Sequence, residues 1–554
     1  VFNNVNMVSP YIKIAAGANY GADIEINNDI GNGNTKFAGI SVSAIIEANS
    51  LTVDSIGRGI YTGVGKNAFP VIVDGQEYRN VYIDVNNQMK ITSASDGIFN
   101  EGLNEGDVTI TAGNVIIDAS ARNGIYNAGQ GTDLGNNVSV KATAEKGNIE
   151  INLKDTTDRI DLASVKNTTY GKTELTALNG AINLDSTRSG IWATKGEVSL
   201  KSGLGNSISA KVVKEDKIEN NKDITVAEQG FSVYAEGGSK VDLSVTEDET
   251  GVIKGDNVLA GAVYASGIAV KEEGQKVNNV TLNSKSNNVY SHTVIDNAGD
   301  INTKDGEETN KFFGKRFVSA LYAEDGANIE LTGENKIGTW ADNRDSNTLE
   351  RTVWAYSSDD TIGSSISFDG AVQIGTDSYS SSPNSAFVAI AAGTATGLIA
   401  SDVIGFNGER STVTVKYDNF SDGNRSSISG DILSAYAGNV GIYSENSNAG
   451  IKIDGNLFAG NNGILDVNLG KGGQLTGRVD DYGDAGVEGT THGAGEDTAN
   501  SFFNPAFSSE IITGGEVNLT MGEGSVWNVT GQSWITELNT TDNVQDTLIN
   551  LENA

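Results

Sequence analysis

The chain has 554 residues, with 68 Gly against only 4 Pro, and 72 acidic against 38 basic side chains give a formal net charge of −34. A surface this negative repels phosphate backbones and anionic headgroups, so no nucleic acid is expected as a partner. Abundant Gly without Pro argues against collagen and Pro-rich linkers, and the absence of Cys excludes disulfides, thiolate metal sites and Cys nucleophiles.

Taken in chain order, the sequence is a succession of short alternating segments bounded by Gly, Asn, Asp or Ser. That pattern predicts half-buried strands rather than helices. Val108-Thr109-Ile110, Ile149-Glu150-Ile151-Asn152-Leu153, Ile182-Asn183-Leu184, Val413-Thr414-Val415 and Ile451-Lys452-Ile453 are clear cases. A module of small, aliphatic, aromatic and small or polar residues recurs among them. It appears as Gly59-Ile60-Tyr61-Thr62, Gly97-Ile98-Phe99-Asn100, Gly124-Ile125-Tyr126-Asn127 and Gly190-Ile191-Trp192-Ala193. Further copies are Ser232-Val233-Tyr234-Ala235, Ala262-Val263-Tyr264-Ala265, Ala320-Leu321-Tyr322-Ala323 and Gly441-Ile442-Tyr443-Ser444. After the copies at Gly190, Ser232 and Ala320 come a Gly-containing corner and another alternating strand. The most apolar stretch, 386–400, is interrupted by Gly and Thr and falls short of the ~20 residues a spanning helix needs, so it reads as buried strand and turn.

An imperfect repeat of short strands predicts an all-β fold, a right-handed parallel β-helix (a solenoid) with coils of about 20–25 residues. Each coil stacks its aliphatic residues on those of the next, Gly and Asn serve corners that require φ > 0, and Pro would interrupt a ladder. Propellers and immunoglobulin-like sandwiches require more uniform repeats. We expect β-helix over 1–460, and over 461–554 the last coils with a cap. A solenoid end exposes an apolar cross-section, and Trp527 and Trp534 are candidates to cover it.

The recurrent module followed by an alternating strand resembles the coils of autotransporter passengers of the pertactin-like type. The terminal segment adds to the resemblance. It reads Gly515-Glu516-Val517-Asn518-Leu519-Thr520, then Val526-Trp527-Asn528-Val529-Thr530-Gly531-Gln532-Ser533-Trp534-Ile535-Thr536-Glu537-Leu538, preceded by Leu475-Thr476-Gly477-Arg478-Val479. This is similar to the autochaperone cap of such passengers, and the resemblance assigns a folding role to Trp527, Ser533, Trp534 and Leu538. It implies export to a bacterial cell surface and anchoring through a downstream outer-membrane β-barrel translocator, for which this chain holds no sequence. The start at Val1, without a basic or apolar leader, fits the expectation of a mature form.

No nucleophile motif of the Gly-Asp-Ser-Gly or Gly-x-Ser-x-Gly type occurs. The two His, His292 and His492, have no nucleophile or metal partner at a recognisable spacing, and no calcium-loop pattern is found. We therefore expect no catalytic, cofactor or metal site. The Asp clusters 359–360 and 480, 481 and 484 read as solvated corners. Candidate contacts lie in irregular insertions: 271–315, 480–503, and a loop carrying Trp340, Asp342, Arg344 and Asp345 that leads to Trp354 and Tyr356. The expected function is a non-enzymatic adhesin that contacts a host cell-surface protein or glycan, or another copy on a neighbouring bacterium. The rival readings are a polysaccharide-acting enzyme, which needs two carboxyl groups about 5–9.5 Å apart, and a stalk for an upstream domain.

Overall fold

A computed structural model of the chain describes residues 2–3, 12–15, 23–28, 38–41, 44–62, 70–73, 76–101, 106–128, 138–154, 162–168, 170–211, 217–219, 222–224, 231–245, 250–257, 262–267, 279–294, 316–342, 348–357, 362–375, 387–394, 409–481, 514–541 and 546–552. Among them there is no helix. The fold is an all-β parallel β-helix, and it divides into two compact units. Unit 1 comprises Val1–Val213, Gly230–Lys254 and Asn279–Lys285, and unit 2 the remainder.

In unit 1 a coil consists of three strands, for example Lys172–Ala177, Ala181–Ser186 and Ser189–Ala193. Each strand pairs in parallel with its counterpart one coil on: Thr173 with Val198, Ile182 with Asn206, Ile191 with Val233. Alternation sends every second residue inward, so the core is a set of aliphatic columns. Val53, Ile91, Ile117, Ile151, Leu184 and Ile208 form one, each at most 1% exposed. Ile40, Ile60, Ile98, Ile125, Val165, Ile191 and Val233 form that of the third face. Next to it runs a buried polar column in which Asn100, Asn127 and Asn167 follow one another in register. Their side-chain amides donate to corner carbonyls, Asn127 Nδ2 to Val138 and Lys172 and Asn167 Nδ2 to Gly171. These corners therefore need no water to satisfy their backbone.

The module explains itself in this frame. A Cβ at Gly97 would overlap Ile117 Cγ2 and the carbonyl oxygen of Gly124, and Gly59, Gly124 and Gly190 are confined in the same way. The aliphatic residue points into the core, the aromatic points out, and the fourth is buried beside the core, polar at Thr62, Asn100 and Asn127 and Ala at Ala193 and Ala235. Seven of the eight sequence copies overlap third-face strands. The eighth does not: Gly441-Ile442-Tyr443 lies on Asn439–Tyr443, which pairs with Thr412–Lys416 and Ile464–Asn468, and a Cβ at Gly441 would meet nothing within 4 Å.

Unit 2 repeats the plan. Ile374, Ile428, Ile453, Leu475, Trp527 and Ile549 make one inward column, and Val353, Ile390, Ile432, Leu457 and Val479 another. The position 460/461, expected to open a terminal segment, falls inside this unit, where Leu457–Gly460 and Ile464–Asn468 belong to one continuous stack. The stretch 386–400 contributes the strand Phe387–Thr394, buried from Val388 to Ala392, as its hydropathy requires. Its remaining residues lie outside the described ones.

Candidate binding surface

The outward positions of the same strands form the surface. In unit 1 one column reads Asp54, Thr92, Asp118, Asn152, Asp185, Ser209, and its neighbour Thr52, Lys90, Ile116, Glu150, Asn183, Ser207. Parallel pairing sets successive side chains of a column about 4.8 Å apart. They bond along the column: Asn152 Nδ2 donates to Asp118 Oδ1 at 2.8 Å and Ser209 Oγ to Asp185 Oδ1 at 2.7 Å. Unit 2 carries a comparable column of Thr414, Gly441, Asp466 and Asn518, in which Asn518 Nδ2 donates to Asp466 Oδ1 at 2.8 Å. The result is a repeating array of mainly hydroxyl, amide and carboxylate groups, interrupted by Lys90 and Ile116 in unit 1 and Gly441 in unit 2. Such a lattice suits recognition by many hydrogen bonds, direct or through water.

The outward aromatics of the third face are a different kind of surface. Tyr61 stacks on Phe99, Phe99 packs on Tyr126, the Lys166 ammonium lies over Tyr126, and Trp192 stacks on Tyr234 with ring centroids 3.9 Å apart. The faces of Phe99 and Tyr126 are thus occupied by their neighbours. A sugar seeking an aromatic platform finds them covered. In unit 2, Tyr264, Tyr322 and Trp354 continue the pattern at 9%, 5% and 3% exposure, with Arg351 over the Trp354 ring. Burial pushes the Tyr322 phenol well above its ordinary value, raises Tyr356 to about 12 and lowers the Arg351 guanidinium to about 10, so all three keep their usual charge at neutral pH.

The loop expected around Trp340 to Tyr356 is therefore different in kind. Trp340 and Asp342 lie on the strand Asn328–Asp342, and Trp354 and Tyr356 on Thr348–Ser357. Trp354 is buried and stacked, and Tyr356 is half-buried. Arg344 and Asp345 lie outside the described residues, as do most of 271–315 and 482–503, the pair 359–360, Asp484 and His492; His292 lies on the strand Asn279–Val294. Asp480 and Asp481 are not solvated corners. They are 1% and 7% exposed, and Asp481 accepts a hydrogen bond from Thr536 Oγ1 at 2.9 Å. Their burial follows from the chain segment that crosses this face, in which Ser533 Oγ accepts from the Val479 N–H and the Trp534 N–H donates to the Val479 carbonyl.

Of the residues assigned to a cap, Trp527 is a core residue at 4% exposure, its Nε1–H donating to the Gly477 carbonyl. Trp534 is half-buried, and Leu538, which pairs with Leu519, is 41% exposed.

A polar notch of about 350 Å³ at a corner of unit 2 is lined by Arg425, Asn448, Lys471, Glu523 and Asp546. Within it Lys471 Nζ lies 2.8 Å from Glu523 Oε2, and Arg425 Nη1 donates to the Gly472 carbonyl. Among the described residues no group of His, Cys, Asp and Glu is arranged to hold a metal ion, and no helix is long and apolar enough to cross a membrane. Compared with known protein families, with curated proteins and with solved structures, the chain matches none.

Proposed function

We propose that this chain is the surface-exposed passenger of an autotransporter and acts as a non-catalytic adhesin on a bacterial cell, anchored through an outer-membrane barrel. The observation that carries the reading is the lattice of outward polar columns, above all Asp118, Asn152, Asp185 and Ser209 in unit 1. A rigid face with donors and acceptors repeating at about 4.8 Å offers many individually weak contacts in fixed register. Multiplied over many copies on a cell, such contacts give avidity without a deep pocket. The partner is a host surface protein or glycan, or the same face of a copy on another cell.

The test is to display the chain on a non-adherent bacterium and follow sedimentation, alone and mixed with a labelled strain that lacks it. Settling that excludes the labelled strain identifies self-recognition, and replacing Asn152 and Asp185 together by Lys should then abolish it. Cells that neither clump nor attach to host cells or immobilised glycans would remove the adhesin reading.

A further inference from the structure

One copy of the small-aliphatic-aromatic module has a first residue that the fold does not require. At Gly59, Gly97, Gly124 and Gly190 a Cβ would overlap the next coil, whereas at Gly441 it would meet nothing within 4 Å. Gly441 has no left-handed φ to accommodate either. It sits in the middle of the strand Asn439–Tyr443, where Gly weakens a strand that an ordinary side chain would strengthen. Packing and backbone conformation therefore leave this Gly unexplained. A Gly in a strand interior also marks places that something else approaches closely. The gap it leaves is flanked in its column by Thr414 and Asp466, each about 4.8 Å away. Two residues along the strand, about 7 Å away, Tyr443 stands on the same outward face and is 40% exposed.

Tyr443 differs from the aromatics of the third face, which stack on one another or lie beneath a cation. Tyr170, equally exposed, has the Lys195 ammonium 5.6 Å from its ring centre. Among the described residues no ring or cation lies against Tyr443. The polar groups around the gap are short: the Thr414 hydroxyl, the Asn439 amide and the Asp466 carboxylate. Asp466 Oδ1 accepts from Asn518 Nδ2 at 2.8 Å, and among the described residues its Oδ2 has no partner. Lys416, beside Tyr443 in the ladder, is held by Asp369 at 3.5 Å and Glu445 at 3.1 Å. An anionic group placed here would thus meet a carboxylate rather than a free cation. A pyranose ring has an apolar C–H face and a rim of hydroxyls. An uncovered aromatic ring beside bare backbone and a few short polar groups matches both. We propose that the notch at Gly441 is a subsite for a neutral sugar residue of a glycan. Tyr443 takes the C–H face, and Thr414, Asn439 and Asp466 take the hydroxyls. Such a subsite presupposes the adhesin reading and makes a glycan, rather than a protein or a second copy, the occupant of this column.

The probes are methyl glycosides and short oligosaccharides of glucose, galactose, mannose and N-acetylglucosamine, titrated into the purified full chain and followed by saturation-transfer NMR. The wild type should bind at least one of them. Tyr443→Ala and Gly441→Thr should each weaken that binding by about tenfold or more, while Tyr170→Ala stays within about twofold of the wild type. Tyr443 is exposed and a Cβ at Gly441 is unobstructed, so both variants should fold, as melting temperatures will confirm. If one melts early, the other carries the test. The proposal is overturned if no neutral sugar binds, if only anionic sugars bind, or if Gly441→Thr leaves binding unchanged. An equal loss with Tyr170→Ala overturns it in favour of indiscriminate contact with exposed rings. Clumping of displaying cells that Gly441→Thr abolishes, without sugar binding by the purified chain, overturns it and names a second copy as the occupant. Sugar binding through Gly441 and Tyr443 supports the subsite even where displaying cells neither clump nor attach. Cells that still clump or attach when displaying Gly441→Thr, with no sugar bound by the purified wild type, remove the subsite and leave the adhesin reading standing.

Discussion

At the scale of single residues, the side chains that matter most are those whose surroundings leave no alternative. Gly97→Ala forces a methyl group into Ile117 and the next coil's carbonyl and should cost about 1–3 kcal/mol in urea unfolding. Gly441→Ala, where a Cβ meets nothing, should stay within about 0.5 kcal/mol. Equal costs at the two positions would show that the close approach at Gly97 is not real. Asp431 is a second case. It is 3% exposed, its Oδ1 accepts from the Asn456 N–H and Nδ2 at 2.7 and 2.8 Å, and burial pushes its carboxyl up to about 6 despite those bonds and the nearby Arg478. Well below pH 4 the group is protonated in both the folded and unfolded chain. As pH rises toward 6 the unfolded chain ionises first, so this residue lowers stability through that window, by on the order of 3 kcal/mol once both are ionised. Asp431→Asn keeps the acceptor and removes the ionisation. The variant should therefore gain on the wild type between pH 4.5 and 7.5 in chemical denaturation, and parallel pH profiles would contradict this account.

At the scale of the element, the unit of stability is the column shared by neighbouring coils. Asn127→Ala leaves the corner carbonyls of Val138 and Lys172 without their donor and should cost about 1–3 kcal/mol, with loss of amide protection at both corners in hydrogen exchange. Trp527 fills the inward column between Leu475 and Ile549, so Trp527→Ala should cost about 3–5 kcal/mol. Trp527→Phe, which loses mainly the bond to the Gly477 carbonyl, should cost less. If both changes were tolerated equally, Trp527 would not be holding the last coils together.

At the scale of the whole molecule, charge governs association. With a net charge of −34, two copies repel over a Debye length of about 10 Å at 0.1 M salt, which falls to about 3 Å at 1 M. If the polar faces recognise each other, displaying cells should clump faster as salt rises from low to moderate concentration. A monotonic decrease would instead point to ion pairs as the adhesive contact.

The sequence by itself determined the all-β class, the coil pattern and the small-aliphatic-aromatic module, because alternation and Gly placement are local consequences of stacking one coil on the next. It also carried the outward polar residues, since a period of two separates the faces of a strand. Tertiary structure decided what local pattern cannot. Gly441-Ile442-Tyr443 has the module's residues but occupies another face, because four residues do not state which strand of a coil they form. Trp354 looked like an exposed contact and is buried, because register stacks it on Tyr322. Asp480 and Asp481 looked solvated and are covered, because a segment more than fifty residues later crosses over them and bonds to Val479.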